Sequence, residues 1–325
     1  MSSIVGDISK VFSSNVLALV VGIVNGFLVP RFLGIDEYAV FKTFGLYAGY
    51  VGVLHFGFID GIYIKYGGMR REQVPKSELK AELLFLMVFQ FIMLLAGVSI
   101  ALVSNSPILI PVALSILPVN MVTFFKFLYQ ATGSFGQYAK INSLTPVLTL
   151  LATLVIVFFI RGRSAAHFII SVVIIHYVIL TLLMLGRGRS IFATKSAAII
   201  SKPMFENISV GIFIMVGNLS SMFFYSMDRW FVKILLRTED FAFYSFATSM
   251  MHMVMVLISS VAMTFYAMLA RRHQEEKLIR TLKSYLLILG AFAGVAYFGF
   301  DFVVRWILTD YIPSLEVIEI LFAGF

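Results

Sequence analysis

Two adjacent charges, Asp228 and Arg229, lie at the end of a long apolar run, where charged side chains are costly and rare. On a helix, adjacent residues point to different sides, so this pair does not simply neutralise itself. Arg229 has the geometry to hold a phosphate through two hydrogen bonds, and Asp228 can orient that arginine or carry a coupling proton. The alternative is that the pair anchors the chain at a membrane interface beside Trp230.

Further polar candidates lie in or next to other apolar runs. Lys42 is a point charge that would attract an anionic group in a water-filled cavity; alternatively, its long stem extends to the nearby membrane surface. Arg31 fits an ordinary loop position as well as it fits the mouth of a cavity. Three amides are able to bond hydroxyl groups in a cavity or to join helices to one another: Asn15, Asn25 and Asn218.

Two histidines inside apolar runs, His55 and His252, are candidates for proton coupling because histidine titrates near neutral pH. The alternative for each is a packed, hydrogen-bonded core residue. The chain has no Cys and no H-E-x-x-H spacing. We therefore predict no metal site, no catalytic residue and no cofactor other than a coupling H⁺ or Na⁺.

The composition is that of a membrane protein. Of the chain, 60% is hydrophobic and only 13% is charged, far from the balance of a soluble domain. Apolar runs long enough to cross the hydrocarbon core recur, whereas the short alternating segments of a β-barrel do not. We predict an all-α polytopic helical bundle without a cleavable signal peptide. The predicted spans are 11–29, 38–59, 82–104, 108–128, 143–160, 167–185, 207–227, 241–269 and 284–308, with a tenth beginning near Leu315.

The net charge of +8 reflects how Lys and Arg are distributed between the spans. If the N-terminus is cytoplasmic, most of them fall on the cytoplasmic side, which is the positive-inside pattern. This predicts the orientation and makes a nucleic-acid partner unnecessary. Asp60, just beyond the second span, is interpreted as a cytoplasmic boundary residue. The basic cytoplasmic segments are Lys10, Lys65 to Lys80, Lys140, Arg187 to Lys202 and Arg271 to Lys283.

The loops between the spans are short, and the longest runs from Asp60 to Ala81. It is too small for a nucleotide-binding or glycosyltransferase domain, and no G-x-x-x-x-G-K-[ST] motif occurs in the chain. An ATP-driven pump within this chain is therefore excluded. The longest outer loop, 228–240, is also too short for the catalytic loop of a polytopic polysaccharide-biosynthesis enzyme. A scaffold or regulatory role stays open.

An internal repeat relates two distant stretches by a shift of 203 residues. LGIDEYAVF at 33–41 and LRTEDFAFY at 236–244 both carry an acidic pair and then an aromatic residue before a long apolar run. The same shift aligns Asn15 with Asn218 and Asn25 with Asp228. An even number of predicted spans separates the copies, so both face the same way, as in parallel repeats. Two such repeats need at least about 400 residues, so we expect this chain to be a fragment or a natural truncation.

The first copy is predicted to be an outer hairpin. Pro30 should end the first span because proline cannot continue the helical hydrogen bonding. Gly34 then permits a tight turn, and Asp36 and Glu37 begin the second span, where the helix dipole favours anions. The second copy should close a helix pair in the same way. Near the end of the ninth span, Asp301 and Arg305 are predicted to pair at i,i+4 spacing.

Three stretches carry a resemblance to a known family. They are LVPRFLGIDEYAVFKTFGLYAGYVGVLHFGFIDGIYIKYGG at 28–68, YQATGSFGQYAKINSLTP at 129–146 and SMDRWFVKILLRTEDFAFYSFATSM at 226–250. These resemble flippases of the Wzx type, which export polysaccharides and share a superfamily with the multidrug and toxic-compound extruders and the lipid II flippase. The resemblance covers essentially the whole chain and includes the DR of Asp228 and Arg229. The chain departs from its own repeat at Arg237, where the first copy has Gly34.

This resemblance implies a multi-pass protein of the bacterial inner membrane with two pseudo-symmetric, parallel six-helix lobes around a cavity. The lobes would be residues 1–202 and residues 203–325, the second incomplete in this chain. Such proteins move an undecaprenyl-diphosphate-linked oligosaccharide, an O-antigen or capsular or exopolysaccharide repeat unit, to the outer leaflet by alternating access. The implied partners are that lipid-linked oligosaccharide, membrane lipids, and the polysaccharide polymerase and chain-length machinery.

An extruder of drugs or metabolites, coupled to Na⁺ or H⁺, is the alternative within the same superfamily. It would need a carboxylate deep within a lobe. Asp228 and Asp301 lie toward the ends of predicted spans, which weakens this alternative at the level of sequence.

Overall fold

The computed structural model describes residues 2–195, 198, 202–269, 284 and 295–323. Within these residues the chain is helical, with short turns and no β-strand, which confirms the all-α prediction for that part of the chain. The helices are α1 (Ser2–Phe32), α2 (Ile35–Gly49), α3 (Phe58–Tyr66), α4 (Lys76–Val103), α5 (Leu109–Ala131), α6 (Phe135–Val155), α7 (Ala165–Leu183), α8 (Arg189–Phe192), α9 (Lys202–Leu235), α10 (Thr238–Leu269), α11 (295–307) and α12 (Ser314–Ala323).

Six helical segments of the described chain are long and apolar enough to cross a membrane. They are Ser9–Phe32, Lys76–Val103, Leu109–Ala131, Phe135–Ile160, Ala165–Gly186 and Lys202–Leu235. Each contains most of one predicted span, so the chain has the helices of a polytopic membrane protein. The predicted ninth span lies partly outside the described residues, and the described part is α11.

The second predicted span, 38–59, is not one helix, and this part of the prediction is wrong. Helix α2 ends at Gly49, residues 50–55 form a 3₁₀ turn, and α3 begins at Phe58. Between them, Phe56 and Gly57 have φ angles of 50° and 82°. A continuous α-helix cannot include the left-handed conformation, which glycine adopts without steric cost. The hydrophobicity of the run predicted a span but carried no signal for the break.

In the first hairpin, the second helix begins with the predicted acidic residues, but the first helix does not end at the predicted proline. Helix α1 continues through Pro30 to Phe32, because Leu33 still donates to the carbonyl of Val29 at 3.0 Å, one turn back. The proline therefore lies inside the last turns of α1 and does not end it. Asp36 and Glu37 occupy the first turn of α2, as predicted.

The second hairpin repeats the bounds of the first. Helix α9 ends at Leu235 and α10 begins at Thr238, each 203 residues after its counterpart at Phe32 or Ile35. Both second helices carry two acids in their first turn. In the second copy, the side chain of Arg237 donates to Asp240 at 3.2 Å, and this hydrogen bond lowers the pKa of the exposed Asp240 carboxyl.

The chain divides into two compact units. Unit 1 comprises Met1–Ser14 and Val40–Asp228, and unit 2 comprises Asn15–Ala39 and Arg229–Phe325. This division does not follow the predicted lobe boundary at residue 202, because α9 up to Asp228 belongs to the first unit. The assignment of two pseudo-symmetric lobes stays a prediction.

Unit 1 has a continuous apolar core formed mainly by α3, α4, α5 and α7. Phe58, Ile62, Leu83, Phe124 and Phe125 in this core have no exposed surface. Because the alternative for side chains of membrane-crossing helices is lipid rather than water, close van der Waals packing stabilises this core. The core holds α3 firmly after the break in the second span.

Unit 2 is organised around a cluster of aromatic rings. Tyr38 in α2 makes edge contacts with Phe246 in α10 and with Tyr311, at centroid distances of 6.4 and 5.4 Å. Phe246 and Tyr311 are 4.8 Å apart. Aromatic pairs of this kind each contribute about 0.5–1.5 kcal/mol beyond burial. The start of α2 therefore packs within this unit against the start of α10.

Within unit 1, α3 and α9 approach to backbone contact through glycines. A Cβ atom added at Gly61 would overlap the carbonyl of Asn207, and one added at Gly211 would overlap the carbonyl of Gly57. Gly57 and Gly61 form a G-x-x-x-G pattern, the spacing that lets membrane helices pack closely. Here only the absence of side chains permits this crossing.

We expect Gly61→Ala to lower the free energy of unfolding by about 1–3 kcal/mol, because the methyl group forces α3 away from α9. Gly45→Ala in α2 is the matched control, since no atom lies within 4 Å of the added methyl. Thermal unfolding of the purified variants in detergent measures the difference. Equal stability of the two variants would contradict the close crossing.

Candidate functional site

The break in the second span is stabilised by amide side chains from two neighbouring helices. Asn120 in α5 donates to the carbonyl of Val51 at 3.1 Å, and Gln90 in α4 donates to that of Leu54 at 3.1 Å. The two amides also bond each other at 2.8 Å, and both have no exposed surface. Backbone groups that leave the helical pattern inside a membrane need such partners. Asn120 and Gln90 thus permit a non-helical segment within the span.

A buried histidine and a buried aspartate flank the same break. The N–H of Gly57 donates to Nδ1 of His55 at 3.1 Å, so Nδ1 is unprotonated and the neutral ring carries its proton on Nε2. Nε2 lies 3.8 Å from Oδ2 of Asp60. The two residues are only 6% and 4% exposed. Protonating Nδ1 would break the hydrogen bond from Gly57 and place a cation opposite the carboxylate.

Asp60 is buried within unit 1, and its position at the cytoplasmic boundary stays a prediction. Burial raises the pKa of this carboxyl, which lies beyond the predicted span, to about 6. A carboxyl with a raised pKa favours the folded state when protonated, and that stabilisation is lost as the pH rises through about 6. The Asp60 carboxyl can therefore take up and release a proton in the range of cellular pH.

A second buried polar cluster ties α3, α4 and α9 together. Glu82 in α4 has no exposed surface. Its carboxylate accepts hydrogen bonds from Lys65 at 2.6 Å and from Tyr66 at 2.7 Å. Asn207 in α9 donates to it at 3.3 Å. Burial alone would lower the pKa of Lys65, but its bonds to Glu82 and Glu78 raise it, so the lysine stays charged.

Four of the predicted site residues belong to unit 1. His55 is buried beside the break, Lys42 and Asp228 are half-buried, and Asn218 is exposed. The role of His55 in proton coupling stays a prediction.

The other five predicted site residues belong to unit 2. Arg31 and His252 are exposed, whereas Asn15, Asn25 and Arg229 are half-buried. The amide oxygen of Asn25 is buried and has no hydrogen-bond partner in the described part of the chain. The predicted cavity needs residues from both units, and it stays a prediction.

Two further cations have hydrogen-bond partners in the structure. Arg305 donates to Asp301 at 2.8 Å, which confirms the predicted i,i+4 pair in α11. Lys126 in α5 donates to the amide oxygen of Asn142 at 3.0 Å. Arg305 is therefore held within its own helix, and Lys126 is held by a residue of α6.

Sequence reasoning missed Gln90, Asn120, Glu82 and Asn207. Gln90 and Asn120 are single polar residues in apolar runs, and Glu82 and Asn207 lie close to other polar residues near the starts of their helices. In neither case does the local sequence say which residue each one contacts. Asn207 lies one helical turn before Gly211 in α9. The G-x-x-x-G motif of Gly57 and Gly61, at the start of α3, can be recognised in the sequence. That motif could have pointed to a close helix crossing near residue 57.

We expect Asn120→Leu to destabilise the protein by about 1–3 kcal/mol, because the buried carbonyl of Val51 loses its donor. Ser99→Ala in α4 is the control, since it removes an exposed hydroxyl that bonds the carbonyl one turn back. Thermal unfolding in detergent compares them. A loss for Asn120→Leu no greater than that for Ser99→Ala would show that the amide does not support the break.

Lys65→Met should cost about 3–5 kcal/mol of stability because it leaves the buried Glu82 carboxylate without its cation. The double variant Lys65→Met with Glu82→Gln should recover most of that loss, since no uncompensated charge remains. A double-mutant cycle by chemical denaturation gives the coupling between the two residues. Additive effects would mean that the pair is not coupled.

Comparisons with known proteins identify no relative. No family model matches the chain, no curated protein matches it, and no solved structure matches it. The flippase resemblance thus rests on the sequence motifs. The described chain is established as a polytopic all-helical protein whose second hydrophobic segment is broken around a buried histidine and aspartate.

Proposed function

We propose that this chain belongs to a transporter that flips an undecaprenyl-diphosphate-linked oligosaccharide across the bacterial inner membrane by alternating access. The observation that carries the proposal is the repeated helical hairpin. Its bounds at Phe32 and Ile35 recur at Leu235 and Thr238. Two equally oriented copies of one hairpin are typical of secondary transporters built from parallel repeats.

The break in the second span supports a role in which helices move, as they do in a transporter, over a role as a static scaffold. Non-helical backbone at membrane depth is tolerated only inside protein or beside a water-filled cavity, and transporters place binding sites at such breaks. In this chain the break is closed by side-chain amides, whose hydrogen bonds can exchange for others as the segment moves. This is the behaviour that alternating access requires of at least one helix.

The proposed substrate carries a diphosphate and sugars, and the predicted site residues suit those two parts. Lys42 and Arg229 provide positive charge for the diphosphate. Asn15, Asn25 and Asn218 provide amides for sugar hydroxyls. Asp228 would orient Arg229.

Location and partners follow from the same proposal. The Lys and Arg pattern supports a cytoplasmic N-terminus in the inner membrane. A polysaccharide polymerase with its chain-length machinery would receive the flipped repeat unit.

A cation-coupled extruder of drugs or metabolites is the second candidate. It is favoured by the His55 and Asp60 pair, whose facing atoms lie 3.8 Å apart in a buried position. The sequence analysis counted against an extruder because no carboxylate was recognised deep within a lobe. Asp60 is such a buried carboxylate in unit 1.

The experiment uses the organism of origin with the gene deleted. We expect unpolymerised lipid-linked glycans to accumulate on the cytoplasmic leaflet, inaccessible to an impermeant probe in intact spheroplasts. The intact gene should restore access. Arg229→Gln should slow this rescue by about tenfold or more, as loss of a charged hydrogen bond predicts. Arg237→Gln, which changes an exposed arginine in the outer loop, is the matched control.

Normal glycan traffic in the deletion strain would overturn the flippase proposal. If that strain also became sensitive to a small toxic compound, the extruder would be favoured. In that case Asp60→Asn should abolish the resistance that the intact gene restores.

A further inference from the structure

A cleft of about 430 Å³ opens in unit 1 at the end that the charge pattern predicts to be cytoplasmic. It lies between the loop before α4, the end of α5 and the short helix α8. Its polar lining includes Arg71, Lys76, Tyr129, Thr132 and Ser190. The two cations and the Ser190 hydroxyl are donors suited to phosphate oxygens, whereas the Thr132 hydroxyl already donates to the carbonyl of Leu128 at 2.7 Å.

The cations of the cleft differ from their neighbours because they have no carboxylate partner. Lys65 is bound to Glu78 and Glu82, and Lys80 donates to the carbonyls of Phe192 and Thr194. Among the described residues, neither Arg71 nor Lys76 forms an ion pair. Their charge is therefore available to a ligand.

The rest of the lining is apolar and indicates what kind of ligand fits. Val74, Leu79, Leu128 and Ile191 complete the walls. The cleft lies where α4 begins and α5 ends, which are the ends of two membrane-crossing helices. A ligand with a phosphate beside an apolar part matches this combination. Basic pockets between membrane helices on the cytoplasmic side are a known way to hold anionic lipid headgroups.

We propose that this cleft binds a phosphate group, supplied by the headgroup of an anionic phospholipid of the inner leaflet. Arg71 and Lys76 contact the phosphate oxygens, and the hydroxyls of Thr132 and Ser190 lie within the same cleft. Glu72 also lines the cleft, and its negative charge weakens the attraction. The site is separate from the His55 and Asp60 pair and does not depend on the proposed transport function.

The test measures binding of phosphatidylglycerol to the full chain, purified in neutral detergent, by the shift of the unfolding temperature during lipid titration. Phosphatidylcholine is the uncharged control. We expect the double variant Arg71→Gln with Lys76→Gln to weaken the apparent affinity for phosphatidylglycerol by roughly 30-fold. Each cation near an anionic lipid contributes a factor of about five, and the variant removes two. Glu72→Gln should strengthen it by a few-fold. Lys140→Gln with Lys202→Gln removes the same charge from exposed cytoplasmic-side positions and should change it little.

Equal losses in the two double variants would overturn the proposal, because they would show general attraction to a basic surface. Equal stabilisation by phosphatidylglycerol and phosphatidylcholine would overturn it as well. If inorganic phosphate alone stabilises the wild type as strongly as the lipid does, and the Arg71 and Lys76 variant loses this effect, the phosphate site stands and its source is a soluble anion. Circular dichroism of each variant before titration separates a binding defect from a folding defect.

Discussion

The hydrogen bonds from Asn120 and Gln90 to the carbonyls of Val51 and Leu54 are the interaction on which unit 1 depends. In lipid, a backbone group that leaves the helical ladder has no water to bond, so a break in a span survives only with internal partners. These two amides provide them and bond each other. The break in turn places His55 and Asp60 in a buried position, and it directs α3 toward α9.

The direction of α3 explains the remaining features of the unit. Gly57, Gly61 and Gly211 let the two backbones touch, and this brings Asn207 to the buried carboxylate of Glu82. Lys65 and Tyr66 then complete a cluster that would be unfavourable if any member were missing. Close packing by glycines and a satisfied polar cluster thus support one another. This frame holds the buried His55 and Asp60 beside the break.

Both hairpin turns belong to unit 2, where Tyr38, Phe246 and Tyr311 form the aromatic cluster. Tyr38 and Phe241 occupy equivalent positions of the repeat and both are about 1% exposed. The recurrence of helix bounds and of buried aromatic positions is the physical basis for treating the chain as a repeat. The basic cleft of unit 1 is not part of the repeat, since its lining residues lie outside the two stretches related by the shift of 203 residues.

The sequence by itself determined the helical class, six of the spans, the acidic start of α2 and α10, and the Asp301 and Arg305 pair, because these follow from local hydrophobicity, helix dipoles and i,i+4 spacing. Only the tertiary structure decided the break in the second span, the burial of Asp60 and the partners of Asn120, Gln90 and Glu82. Those features depend on contacts between residues far apart in the chain, such as Val51 and Asn120. The sequence of an apolar run does not show whether a neighbouring helix supplies the hydrogen bonds that a break in the run requires. Pro30 shows the same limit, since the helix continues past it through bonds that proline does not remove.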